Sequence, residues 1–307
     1  MKSKLIIMCV FLFGRLAFSQ EKEVFLSSRF PIIKTVYNKN LDALFFNKFN
    51  KNEIHLSTFD NSYSTIFNGI GSAVLDFDVS INGEYVVTTN QDNSIIVWGV
   101  KPKEMLYKFD PDQGLLQRVR FFNDTSDFFS IGERGQLKKW NIKGQLLYEL
   151  NISGTTLNAI SIFDDKIIVG GHDKKIRVIN DKAQKIVREK YLGKMITCIL
   201  FNSDRNLIYI GDDKGTLHVL DINLNNINSI KLHENIITDL ILIDHKYLIS
   251  SSWDKTIKLM TIEDYIIQKS FSGHKDYIFS LTLKARNLFS CSRDKRILKW
   301  DLEKFLK

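Results

Sequence analysis

His274, Ser290 and Asp294 have the side chains of a hydrolytic relay. A serine nucleophile, a histidine base and an acid that orients the histidine must be hydrogen-bonded in sequence to activate the alcohol. The same types recur upstream: His233, Ser250 and Asp254 stand in the same order, and Thr88 and Asp92 keep the last two without a histidine. A nucleophilic relay would occur once, in an exposed site. A partly eroded pattern repeated along the chain is what a scaffold element looks like. The remaining histidines, His55, His172, His218 and His245, lack metal-ligand spacing. Gly69-Ile70-Gly71 is a lone turn, not a phosphate-binding loop with a following Lys and Ser or Thr. No catalytic residue, cofactor or metal is expected.

The elements that position these residues repeat. Trp300 ends a short alternating strand, RILKW. Stepping back reaches Met260, Leu220, Ile179, Trp140, Trp98 and Ser57, at intervals of 40, 40, 41, 39, 42 and 41 residues. Most of these anchor strands follow a turn rich in Asp, Asn, Lys and Gly. A period near 40 with several strands per unit predicts a propeller, because one such unit cannot bury its own apolar face and must stack on neighbours. The expected fold is all-β: a seven-bladed propeller of four-stranded antiparallel blades. Blade one, from about Ile32 to Phe67, is the weakest copy, and a six-bladed ring without it is the alternative. The last unit ends at its third strand, so Val24–Leu26 is expected to supply the outer strand of blade seven and to hide its edge. Continuous apolar runs are assigned to inner strands packed on both faces, and alternating runs to strands nearer the rim. Asn82-Gly83 suits a tight hairpin, because both residues tolerate positive φ.

The order Gly273-His274, Ser290, Asp294, Trp300-Asp301 resembles the WD-repeat (Trp-Asp repeat) β-propeller family, and the resemblance covers roughly residues 24–302. The other copies are degenerate: three of seven anchors are Trp, and Trp253-Asp254 sits in a turn rather than at an anchor. The resemblance implies that His274, Ser290, Asp294 and Trp300 form a buried structural tetrad. It also implies a non-catalytic protein-protein interaction scaffold that binds partners on the face holding the turns before the anchor strands. There it places Gln91, Glu133, His172, Asp212, Trp253 and Arg293, with Tyr277 entering the last blade. Trp, Tyr and Arg dominate interface hot spots, and Trp253, Tyr277 and Arg293 come from adjacent blades. Lys174, Lys175, Lys255, Lys295 and Arg296 lie in the same turns and favour an acidic partner segment. The alternative is an exported propeller enzyme, hydrolase- or lactonase-like or quinone-cofactor-dependent. It would need acids, a His or a metal converging at the channel mouth, and the sequence identifies no such set.

At about 40 residues per blade, one ring accounts for the 307 residues. Residues 1–19 differ in kind. Lys2 and Lys4 precede an apolar core from Leu5 to Phe13, and Ala17 and Ser19 fit a signal-peptidase site before Gln20. The expected organisation is a signal peptide over 1–19 and the propeller over 20–307, exported to a periplasm or secreted. The alternative is a cytoplasmic scaffold that keeps residues 1–19. Cleavage removes Lys2, Lys4 and Arg15 and no acid, so net charge falls from +8 to +5. That mild, dispersed charge does not resemble a nucleic-acid-binding stripe. The apolar core is too short to span a bilayer, so no transmembrane segment is expected in the mature chain. Cys198 and Cys291 sit in apolar strand patterns of different blades and read as buried thiols. Asn123-Asp124-Thr125 and Asn151-Ile152-Ser153 match the glycosylation pattern by composition.

Overall fold

Each of the seven anchors lies in the third strand of a four-stranded antiparallel sheet. In the computed structural model, residues 22–60, 62–69, 71–122 and 126–306 are described. The expected leader and the Asn123 triplet lie outside them. The blades run over 32–67, 74–109, 116–151, 157–191, 196–231 and 237–272, and a seventh is built from 278–301. Within a blade, strands pair in sequence order, so each blade is a meander from channel to rim. Blade one has all four strands, and the ring is seven-bladed.

Blade seven borrows its outer strand from the other end of the chain. Lys22–Ser27 pairs antiparallel with Arg296–Asp301, and the register shifts between Val24 and Leu26. Phe25 at that shift sets its ring 5.0 Å from Phe289 and 5.5 Å from Phe59, in the seam between blades seven and one. Lys299 Nζ meets Glu23 Oε1 at 2.8 Å. Closure therefore joins strand pairing to aromatic packing.

The apolar side chains divide into seven clusters, one per seam between neighbouring blades. This division corrects one expectation. The strands buried on both faces are the second ones: Tyr247–Ser252 and Phe128–Gly132 are buried throughout. Inner strands such as Ile237–Ile243 are only half-buried at four of seven positions. The reason is geometric, because an inner strand faces the central channel while a second strand is sandwiched between blades. The Asn82-Gly83 turn uses the tolerance of one residue only. Gly83 alone has positive φ, 76°, while Asn82 Oδ1 accepts from Ser80 Oγ (2.7 Å) and Glu84 N (3.1 Å). A Cβ at Gly83 would meet Leu41 at 2.6 Å.

All seven inner strands break register at one equivalent point, between residues 32 and 34, 74 and 76, 116 and 118, 157 and 159, 196 and 198, 237 and 239, and 278 and 280. A bulge re-aims the next side chain. The residues that follow are Lys34, Asp76, Arg118, Ala159, Cys198, Asp239 and Ser280, and they line one central cavity. From this ring, Asp76 accepts from Val119 N (3.0 Å) and Asp239 from Leu281 N (2.8 Å), so side chains tie the inner strand of blade two to that of blade three, and that of blade six to that of blade seven.

Candidate functional site

The structure brings His274, Ser290, Asp294 and Trp300 together by strand pairing. Ser290 is on the second strand of blade seven, Trp300 on the third, His274 on the approach to the first and Asp294 in the intervening turn. The Trp300 indole N–H donates to Ser290 Oγ (2.8 Å), Ser290 Oγ lies 2.7 Å from His274 Nε2, and His274 Nδ1 lies 2.9 Å from Asp294 Oδ2. One tautomer satisfies the chain: Nδ1 donates to the carboxylate and Nε2 accepts the hydroxyl proton. Burial pushes the Asp294 carboxyl up, but hydrogen bonds from His274 and Arg296 outweigh it and hold the group below its ordinary range. The order of contacts is that of a nucleophilic relay. Access is not: Ser290 is 0% exposed and already accepts from Trp300, so no substrate atom reaches its oxygen.

Blade six repeats the arrangement with His233, Ser250 and Asp254, at 2.7 and 2.8 Å, and with apolar Met260 at the anchor. Burial lowers the His233 imidazole below its ordinary value against the pull of Asp254. In blade three, fully buried Gln113 takes the histidine's place. Ser130 donates to Gln113 Oε1 and accepts from the Trp140 indole (2.8 Å). The sequence reading missed Gln113, whose only signal is its distance from Trp140. Blade two has Thr88 and Trp98 in register, yet neither Thr88 Oγ1 nor Trp98 Nε1 has a partner. Its Asp92 instead bonds Ser94 and Lys108 at the surface.

The face of the turns is defined by one backbone bond repeated in all seven blades; in blade one Phe49 N donates to the Pro31 carbonyl (2.8 Å). Gln91, Glu133, His172, Asp213, Trp253 and Arg293 each donate their N–H to a carbonyl at the entry of the same blade's inner strand, at 2.8–3.1 Å. Asp213 holds this position, and the expectation for Asp212 is corrected. Asp212 is 1% exposed, and its carboxylate accepts from Lys214 N and Thr216 N (both 2.8 Å) and meets His218 Nε2 at 3.0 Å. It caps the turn from inside, because blade five has Lys214 where blades six and seven have Asp254 and Asp294.

Gln91, Glu133 and His172 are exposed but lie in blades two to four, away from Trp253, Tyr277 and Arg293. Those three form a stack. The Trp253 and Tyr277 rings lie 4.8 Å apart at 11°, and the Arg293 guanidinium is 5.5 Å from the Tyr277 centroid. Arg293 is also 3.8 Å from Asp276 and its side chain is 57% exposed. Trp253 is half-buried, whereas Trp98, Trp140 and Trp300 are buried. Exposed Lys174, Lys255 and Lys295 surround the turns, each with φ of 64–72°. Lys175 and Arg296 are engaged, by Glu189 (2.6 Å) and Asp294 (2.6 Å).

Among the described residues, no group of three or more His, Cys, Asp or Glu side chains is arranged to hold a metal, and no helix is long and apolar enough to cross a membrane. Burial raises both thiols, Cys198 and Cys291, well above the ordinary range, and neither is bridged.

Comparison with known proteins agrees with this geometry. The family model for the WD domain, G-beta repeat, matches residues 61–99, 224–259 and 266–301. These stretches end in the third strands of blades two, six and seven, the blades with the fullest set of repeat residues. The chain is 21% identical over 238 residues to a WD repeat-containing protein 55 homolog of Dictyostelium discoideum, covering 74% of this chain and 57% of that one. It is 21% identical over 233 residues to a WD repeat domain-containing protein 83 homolog of the same organism, covering 65% and 71%. The match thus spans little more than half of the first relative. A chain in the crystal structure of the mitotic checkpoint complex superposes with a TM-score of 0.83 at 12% identity, over 98% of both chains.

Proposed function

The chain belongs to the WD40-repeat β-propeller family, and we propose that it is a non-catalytic platform that binds another protein on the face of Trp253, Tyr277 and Arg293. The stack of those three side chains carries this reading. An indole, a phenol and a guanidinium, pre-stacked and partly exposed, lose little further freedom on binding and supply the types that dominate interface energy. Exposed Lys255 and Lys295, in the turns of the same two blades, six and seven, make an acidic segment the complementary partner. Residues 1–19 are proposed to direct export and to be removed before Gln20; an N-terminal peptide beginning at Met1 on the protein purified from its host would refute this.

The docking reading is tested by cross-linked recovery from the native host, comparing wild type with Trp253→Ala/Arg293→Glu. Both baits must first show the same melting temperature. A partner held by wild type and lost by the double variant supports the reading. A partner held equally by both places the contact elsewhere.

A further inference from the structure

The central cavity, about 340 Å³, carries charges that the docking face does not use. Five charged side chains line it: Lys34, Asp76, Arg118, Arg120 and Asp239. Most are already committed. Asp76 sits between two cations, with Oδ1 at 2.8 Å from Lys34 Nζ and Oδ2 at 2.7 Å from Arg120 Nη1. Its neighbour Asp78, two residues further along the strand, accepts from Phe121 N (2.9 Å). Asp239 spends its oxygens on Leu240 N and Leu281 N, at 3.0 and 2.8 Å.

Arg118 is different. Its guanidinium donates to the Gln117 carbonyl (2.8 Å); among the described residues no carboxylate forms an ion pair with it, although its charge helps to hold Asp76 ionised. Most of its N–H donors face the cavity unengaged. The side chain is held on this wall by the bulge between Leu116 and Arg118, which aims it inward as the equivalent bulges aim Lys34 and Asp239. Burial and the nearby Arg120 push the Lys34 ammonium down from its ordinary value, and the cavity lining holds three cations, Lys34, Arg118 and Arg120, beside two carboxylates, Asp76 and Asp239. A planar guanidinium with N–H donors to spare matches an oxyanion in two-point contact.

We propose that the central channel is a binding site for a small oxyanion, a phosphate or carboxylate group gripped by Arg118 with Lys34 and Arg120 beside it. The adjoining wall, with Ala159 and Cys198 of blades four and five, is uncharged. The site is independent of the docking face, because Trp253, Tyr277 and Arg293 do not line the cavity.

Inorganic phosphate and malonate, titrated separately into the intact chain by calorimetry at constant ionic strength against sodium chloride, test the site and distinguish the two anion types. One-site saturation by either anion is expected, with affinity reduced about tenfold or more in Arg118→Gln and retained in Lys143→Gln, an exposed lysine in an outer turn of the same blade. A response no larger than that to chloride overturns the proposal, as does equal affinity in wild type and Arg118→Gln. If Arg118→Gln melts below wild type, Arg118→Lys carries the test: it keeps the charge but loses the fork. Weaker binding then supports the site, and unchanged affinity overturns it.

Discussion

Blades seven and two use the same positions to opposite effect. In blade seven, Trp300, Ser290, His274 and Asp294 form an unbroken chain of donors and acceptors, and the outer strand arrives from the N-terminal end. In blade two, Trp98 and Thr88 sit in register but their polar atoms have no partner, and Asp92 turns to the surface. Both blades nevertheless have four paired strands and seams of buried apolar side chains. The polar chain is therefore not required to make a blade. It locks the turn onto the strands in the blade where the ring is closed. A buried network of this kind is rigid when every member is satisfied, and costly when one is removed.

The comparison can be broken most severely at closure. Deleting Lys22–Ser27 strips Phe25 and Leu26 from the seam and bares the edge of Arg296–Asp301. The expected loss is at least about 3 kcal/mol from the two side chains, read as a lower denaturation midpoint. Unchanged stability would show that closure does not depend on this strand.

The next effect is that of Asp294→Ala, which leaves buried His274 and the turn amides without their acceptor. It should destabilise by about 3 kcal/mol. Asp92→Ala, at an exposed site in blade two, should cost under about 1 kcal/mol. Equal melting shifts for the pair would remove the distinction between the blades.

Indole replacement sharpens the contrast. Trp300→Phe orphans the Ser290 contact, while Trp98→Phe removes an N–H that has no partner. The first should cost about 1 kcal/mol more than the second beyond their shared loss of volume; equal losses in urea titrations would refute it.

The smallest effect is that of pH. His233 is held neutral by burial, with its folded-state pKa below 6.5. The unfolded chain takes up its proton first as pH falls through 6.5, so stability declines below that value. Asp254 and Asp294 have depressed pKa values, so their contribution persists above 3.8 and is lost only as pH falls further toward their folded values. A melting profile from pH 8 to 5 should show a shallow decline that His233→Gln reduces. A flat wild-type profile would contradict the neutral histidine.

The repeat was legible in the sequence because a blade is a local object. Seven anchors near 40-residue spacing determined the number of units, their meander and the need for a strand from the opposite end. Local pairing also placed His274, Ser290, Asp294 and Trp300 within reach of one another, since they belong to one blade. Relations between blades were not legible. Whether Asp212 or Asp213 reaches the face depends on a one-residue difference in how blade five caps its turn. Gln113 replaces a histidine by position rather than by type. Inner strands look like core in one dimension, and only ring closure turns one of their faces toward a channel. The cavity charges at positions 34, 76, 118 and 239 occupy one equivalent site of the repeat, but with Arg120 they meet only once the ring closes. Tertiary structure alone decided that Asp76 is shared by Lys34 and Arg120 while Arg118, near enough for its charge to act on Asp76, forms no ion pair among the described residues, because an ion pair is set by distance in space and the ring brings strands from different blades to one axis.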